Sequence, residues 1–189
     1  MRQFILAIVI VLALCFPCSA QMVQCVGGGD ACTGCDYGSD SKIYDNGNTK
    51  TNELWTAYMY ALFIPSGSIS NDCVTGAYFY ADGAGSSGST MTCALWSNSS
   101  GSPGAIIGAG YTGTSGSLAT TGCTEDEAIF ATPQEAPTDD AWLVCKASAG
   151  GDIGRDASGT GTYKYSSNDG SSWSEWAYKP VMGVLGCAP

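Results

Sequence analysis

The sequence of 189 residues contains no histidine. Without an imidazole, a Ser-His-Asp triad, a Cys-His nucleophile pair and a His-ligated metal site are all excluded. Much of ordinary hydrolase and metalloenzyme chemistry is therefore closed to this chain, and we expect a protein that is not an enzyme.

Positive charge is also scarce. Seven Lys and Arg residues stand against 17 Asp and Glu residues, which gives a formal net charge of -10. Nucleic-acid binding depends on clustered Lys and Arg that contact phosphates. Scattered cations cannot form such a basic stripe, so we expect no nucleic-acid partner.

A long apolar run occurs only at the start of the chain. Arg2 precedes an apolar stretch from Phe4 to Phe16, and small residues follow up to Ala20, which is the pattern of a secretory signal peptide. The run is shorter than the roughly 20 residues that span a bilayer. We expect residues 1–20 to be removed, no membrane insertion afterwards, and a secreted, extracellular or cell-surface protein. An uncleaved anchor is the alternative.

Glycine and aromatic residues are plentiful, with 26 Gly and an aromatic fraction of 11%. From residue 43 onward, short apolar runs alternate with Gly, Ser, Asn and Asp, as in the strands and turns of a sandwich. We predict an all-β fold over residues 43–189, an antiparallel β-sandwich of jelly-roll-like type, preceded by a disulfide-linked Cys/Gly-rich coil over residues 21–42. The predicted strands are Trp55 to Ile64, Val74 to Ala81, Met91 to Ser97, Ala105 to Tyr111, Ala128 to Thr132, Ala141 to Ala147, Thr160 to Ser166, Trp173 to Tyr178 and Val181 to Leu185.

Four short segments predict turns between these strands. Asn46-Gly47, Asp82-Gly83 and Asp169-Gly170 tolerate positive φ, and the proline of Ser102-Pro103-Gly104 presets a turn.

Eight cysteines follow the leader, an even number that indicates disulfides in an exported chain. Three of them lie before Tyr44 and five lie after it, so full pairing requires at least one bridge between the N-terminal segment and the body. A zinc site around Cys32-x2-Cys35 is the alternative, although a second such pair is missing. The predicted disulfide cysteines are Cys25, Cys32, Cys35, Cys73, Cys93, Cys123, Cys145 and Cys187.

The run Cys93-Ala-Leu-Trp-Ser-Asn-Ser-Ser-Gly-Ser-Pro-Gly-Ala-Ile-Ile-Gly108 resembles the strand, Ser-Pro-Gly turn and strand of secreted bacterial and phage-associated jelly-roll domains. Ala136-Pro-Thr-Asp-Asp-Ala-Trp-Leu-Val144 is similar to the segment before a later strand of that family, with Asp-Asp-Ala-Trp in place of its usual Ala-Gly-Thr-Tyr-Trp. The resemblance covers residues 54–186 and implies fold and location, much less activity.

The segment Ser166-Ser-Asn-Asp-Gly-Ser-Ser-Trp173 resembles the Asp-box hairpin of sialidase propellers, with Asn168 where that family has Asp. The motif is a folding device and occurs once here, so it predicts a hairpin and no sialidase activity.

Aromatic residues near the C-terminus are the predicted ligand-binding residues. Residues two apart on a strand project from one face, and aromatics on two adjacent strands would form a platform for sugar rings. The alternative is that one aromatic row fills the core. The residues concerned are Tyr163, Tyr165, Trp173, Trp176 and Tyr178.

Carboxylates offer two further hypotheses. The cluster Glu125-Asp126-Glu127 has no flanking apolar residues that would raise a pKa, so we do not assign it a glycosidase role. Asp152, Asp156 and Asp169 are predicted to lie in Gly-rich loops and are candidate ligands for a structural Ca²⁺, the alternative being solvated loop acids. No other cofactor is expected.

The sequence thus favours a non-catalytic extracellular binding module whose partner is a glycan or a surface protein. The alternative is a structural subunit of an extracellular filament, surface appendage or virion, with self-assembly. Residues 21–42 are a poor donor strand, which weakens one assembly mechanism but not contact through sandwich faces.

Overall fold

The computed structural model describes residue 32 and residues 41–45, 52–53, 59–69, 73–148, 151–156, 161–175, 177 and 179–187. This part of the chain is all β apart from a single 3-10 turn at Ala109–Tyr111. Its helical content includes nothing long and apolar enough to cross a membrane. The strands are β1 Ser41–Tyr44, β2 Asn52–Glu53, β3 Met59–Ile64, β4 Cys73–Asp82, β5 Met91–Ser99, β6 Ser102–Ile106, β7 Thr112–Thr114, β8 Thr124–Glu135, β9 Ala141–Ala147, β10 Asp152–Asp156, β11 Tyr163–Ser166, β12 Ser174–Glu175, β13 Lys179–Pro180 and β14 Met182–Cys187.

The strands form two antiparallel layers. Layer one has the order β1-β14-β4-β8, and layer two has the order β7-β5-β9-β3-β11-β12. The layers join where Gly113 of β7 pairs with Phe130 of β8, so the sheet curls into a half-barrel. The long strands β3, β4, β5, β8, β9 and β14 alternate between the layers along the chain, which confirms the predicted jelly-roll-like sandwich.

The core lies between the layers and follows from the two-residue alternation of the strands. Phe79 of β4, Leu95 of β5 and Leu143 of β9 are fully buried in one cluster, together with Phe130. Burial of each such side chain stabilises the fold by about 1.5–3 kcal/mol.

Two disulfides are fully described. Cys32 bonds to Cys73 at the start of β4, which confirms the predicted bridge between the N-terminal segment and the body and rules out the zinc alternative at Cys32. Cys93 and Cys145 face each other on β5 and β9 and are also bonded. Cys187 is disulfide-bonded and Cys123 is buried, whereas Cys25 and Cys35 lie outside the described residues.

The hairpin between β5 and β6 corrects one predicted turn and one predicted strand. Ser100 and Gly101 have φ of 51° and 80°, and Ser99 pairs with Ser102, so the turn precedes Ser102-Pro103-Gly104. These three residues belong to β6, which ends at Ile106 instead of continuing to Tyr111. Two central residues with positive φ match the twist of the flanking strands, so Ser100-Gly101 forms the turn. Proline has no backbone N–H to donate, so Pro103 is tolerated in β6 as an edge strand.

Of the other three predicted turns, two lie within the described residues and are confirmed, and one lies outside them. Asp169 and Gly170 have φ of 54° and 83° and form the predicted turn between β11 and β12. Asp82 ends β4 and accepts a hydrogen bond from the Ala84 amide at 2.8 Å, so its side chain stabilises the turn that follows. Asn46-Gly47 lies outside the described residues.

Candidate functional site

The outer face of layer two is apolar although it does not face the core. Trp142, Val144 and Ala61 are almost fully buried there, with Trp142 only 1% exposed. Met59, Phe63, Trp96 and Trp173 pack against them while partly exposed. Because polar side chains are the usual outer covering of an antiparallel sheet, this second apolar cluster requires its own cover.

The β5–β6 hairpin supplies one side of that cover. Trp142 Nε1 donates a hydrogen bond to Asn98 Oδ1 at 3.0 Å. Asn98 near the end of β5 thus satisfies the buried indole donor of β9. Lys164 Nζ lies 5.9 Å from the centroid of the Trp142 ring and donates to Ser102 Oγ at 2.8 Å. These contacts fix the hairpin against the outer face.

The β11–β12 hairpin supplies the other side, and its loop is held by side-chain hydrogen bonds. Asn168 Oδ1 accepts from the Ser172 amide at 3.0 Å, and Ser166 Oγ accepts from the Gly170 amide at 2.8 Å. The Asp-box segment therefore forms the predicted hairpin. Its Trp173 packs edge-on against Trp96 with ring centroids 6.1 Å apart.

An open groove of about 390 Å³ lies on this face, and we call it the layer-two groove. Its volume falls within the range of small-molecule sites, which are mostly apolar with a few polar groups. Lys146 at its edge forms an ion pair with Asp169 at the tip of the β11–β12 hairpin. The groove is lined by Met59, Thr92, Ala94, Trp96, Ile106, Thr112, Val144, Lys146, Ala147 and Ser148.

The predicted aromatic platform needs correction. Tyr163 is only 3% exposed in the core, and Tyr165 packs against the same core cluster, so β11 turns these rings inward and Lys164 outward. This is the core-filling alternative. Trp173 lies instead in the outer cluster of layer two. Trp176 and Tyr178 lie outside the described residues.

Sequence reasoning missed the residues of the groove, although a signal was present. The runs Cys93–Trp96 and Ala141–Cys145 are apolar at consecutive positions. A strand that is apolar at successive positions is buried on both faces. In a two-layer sandwich, this pattern indicates a covered outer surface in addition to the core.

The three candidate calcium ligands do not meet. Asp152 and Asp156 begin and end strand β10, which corrects their predicted placement in loops, because Ile153 enters the core between them. Asp169 belongs to the β11–β12 hairpin and pairs with Lys146. Among the residues that the structure describes, no three Asp, Glu or Cys side chains form a group suited to a metal ion.

The outer face of layer one carries Glu125 of the acidic cluster that the sequence singled out. Lys42 Nζ bonds to Glu125 Oε2 at 2.8 Å and lies 4.2 Å from the centroid of the Tyr78 ring. Burial acts to raise the pKa of Glu125, but hydrogen bonds from Lys42 and Tyr80 outweigh it and lower that pKa. A glycosidase acid needs a raised pKa, and this carboxyl has the opposite shift.

Burial, reinforced by Asp45, raises the pKa of Tyr78 far above its usual value, so this phenol stays neutral. The Tyr78 ring lies over Gly183 of β14, where an added Cβ would come within 2.5 Å of Tyr78 Cε1. The ring and the glycine are therefore in close contact on this face.

The chain matches no family model, no curated protein and no solved structure.

Proposed function

We propose that the protein is a secreted, non-catalytic β-sandwich that binds glycans outside the cell, with the layer-two groove as the ligand site. The observation that carries this proposal is an open groove on an apolar, aromatic outer face of the sandwich. Such a face is costly to leave in water, so an exposed groove within it favours a ligand-binding role.

The composition of the groove suits a sugar chain. Sugar rings have an apolar C–H face that packs on aromatic and aliphatic side chains, and Trp96 and Ile106 offer both. The hydroxyls of Thr92, Thr112 and Ser148 line the groove. Thr92 Oγ1 already shares a hydrogen bond with Thr114 Oγ1 at 3.0 Å, and Ser148 Oγ accepts from the Thr90 amide at 2.8 Å. A hydroxyl has one donor and two acceptor positions, so each keeps capacity for a hydrogen bond with a sugar hydroxyl. Apolar contact and a few hydroxyl groups together supply affinity and orientation.

The disulfides support an extracellular location. Cys32–Cys73 and Cys93–Cys145 are consistent with folding in an oxidising compartment. The signal-peptide pattern of residues 1–20 points to the same route.

The test is a glycan array followed by titration calorimetry on the oxidised protein from residue 21. We expect Trp96→Ala and Ile106→Ala each to weaken binding of an array hit by at least fivefold. Ile107→Ala is the matched control, because Ile107 is 40% exposed against 45% for Ile106 but does not line the groove. Circular dichroism and thermal melting confirm that each variant is folded.

Two results would overturn the proposal. One is an array with no glycan bound by the parent protein. The other is a bound glycan whose affinity is unchanged by both groove substitutions.

A specific observation also favours the structural-subunit alternative. Ile106 and Ile107 are large apolar side chains exposed on and just after β6, which among the described strands pairs only with β5. An open strand edge with apolar side chains favours association with another chain. Sedimentation velocity of the parent and of Ile107→Asp tests this alternative: polymers that dissociate in the variant would support it, and a monomer at all concentrations would refute it.

A further inference from the structure

Lys146 is the single charged side chain among the described residues that line the layer-two groove. It lies on β9 with 45% of its side chain exposed, beside Thr92, its partner across the β5–β9 ladder. Its position matters because the protein as a whole has a net charge of -10 and repels anions at long range.

The ammonium group of Lys146 forms an ion pair with the carboxylate of Asp169. The carboxylate reaches Lys146 from the β11–β12 turn, and an added Cβ on the adjoining Gly170 would lie 3.2 Å from Trp96. The tip of the hairpin thus holds a carboxylate at the groove. Asp169 is 78% exposed, so water competes for this ion pair and its strength is small.

We propose that Lys146 makes the layer-two groove selective for acidic sugars, and that Asp169 is an internal competitor which a ligand carboxylate displaces. This inference rests on the proposed glycan-binding function and names the class of glycan. The sugar ring packs on the apolar floor, and its carboxylate takes the place of Asp169 on Lys146. Exchanging one carboxylate for another keeps the ammonium paired, and the displaced Asp169 carboxylate, which is 78% exposed, is solvated by water.

Asp169 determines how strongly the groove prefers an acidic sugar to its neutral form. In the parent protein, the ligand carboxylate must displace Asp169 from Lys146. The binding free energy therefore gains only the difference between the ligand–Lys146 ion pair and the Asp169–Lys146 ion pair. Removing the Asp169 charge leaves Lys146 unpaired and increases that gain. Asn tolerates the positive φ of 54° at this position, so Asp169→Asn preserves the turn.

The experiment uses matched pairs of oligosaccharides that differ only in charge: oligogalacturonate, oligomannuronate and hyaluronan oligosaccharides, each beside its carboxyl-reduced form. Calorimetry at low ionic strength measures both members of each pair. For the best pair, we expect the acidic form to bind about threefold more tightly in the parent and about fivefold more tightly in Asp169→Asn. Lys146→Met should abolish the preference, so that the acidic and the carboxyl-reduced member of each pair bind this variant with equal affinity.

Lys42→Met is the control for net charge, because it removes the same charge from the outer face of layer one. It should keep the preference for the acidic form. Equal binding of both members, or a preference that survives Lys146→Met, would overturn this inference while glycan binding stands. Failure of the parent to bind any glycan, acidic or neutral, would overturn the proposed function and this inference with it.

Discussion

The outer face of layer one carries a charged and aromatic network of Lys42, Tyr78 and Glu125. The outer face of layer two, in contrast, is apolar and has a groove. On the first face, the Tyr78 ring fills the space above Gly183. The second face depends on two hairpins for cover and leaves a groove between them. An outer surface that is apolar and open is suited to bind a partner.

The largest expected effect concerns the disulfide that joins β5 and β9 beneath the layer-two groove. Cys93 and Cys145 join β5 and β9 and are fully buried, and their bridge spans 52 residues of sequence. Replacing both with Ala should lower the free energy of unfolding by about 4 kcal/mol from loop-closure entropy, with a further loss from the cavity.

Urea unfolding measures this loss. Replacing Cys32 and Cys73 with Ala is the matched comparison, because that bridge spans 41 residues but is less deeply buried. We expect the loss of unfolding free energy to be smaller for the Cys32–Cys73 pair. A larger loss for that pair would contradict the claim that the β5–β9 disulfide is the more deeply packed of the two.

Gly183→Ala tests how tightly the outer face of layer one is filled. Its Cβ would come within 2.4 Å of the Tyr44 carbonyl oxygen and 2.5 Å of Tyr78 Cε1, so the ring must move. We expect a loss of about 2 kcal/mol in thermal or urea unfolding. Gly116→Ala is the control, because nothing lies within 4 Å of the added carbon, and an equal loss in both variants would show that this face is not closely packed.

Asn98→Ala tests the cover on layer two. It leaves the buried Trp142 Nε1 donor without its acceptor, which costs about 1–2 kcal/mol. Trp142→Phe removes the donor as well, so a double variant should lose less than the sum of the two single losses. Additive losses would show that the hydrogen bond does not stabilise the hairpin.

The smallest expected effect is the pH dependence of layer one. The folded pKa of Glu125 is depressed, so its pairing stabilises the fold above the ordinary carboxyl pKa of 4.5 and this contribution is lost as pH falls through the depressed value. Lys42→Met should cost about 0.5 kcal/mol at pH 7, since the pair is partly exposed, and less at pH 3. An unchanged difference between parent and variant from pH 7 to pH 3 would contradict this linkage.

How far the sequence predicted the structure depends on whether a feature is set by local pattern or by neighbours in space. The strand Ala141–Ala147 and the turn at Asp169-Gly170 follow from apolar runs and turn chemistry, and both were predicted. Strand β10 was missed, because only Ile153 of its residues is a large apolar side chain and its pairing with β4 comes from distant sequence.

The candidate site was less predictable than the fold. The alternation in β11 showed that Tyr163 and Tyr165 share a face, but not that this face is the core. The groove needs Lys146 of β9, Ile106 of β6 and Thr92 of β5 to meet, which follows from the order of strands in layer two. Strand order is set by long-range packing and cannot be derived from the period of any one strand.

The most direct test of the layer-two groove is to map ligand contact by NMR on the oxidised protein. A glycan identified on the array is titrated while the Trp96 indole, the Val144 and Ile106 methyl groups and the Tyr78 ring are observed. We expect saturable shifts at Trp96, Val144 and Ile106, with the Tyr78 signals unchanged. Shifts centred on Tyr78 and Lys42, with Trp96 unaffected, would contradict this expectation.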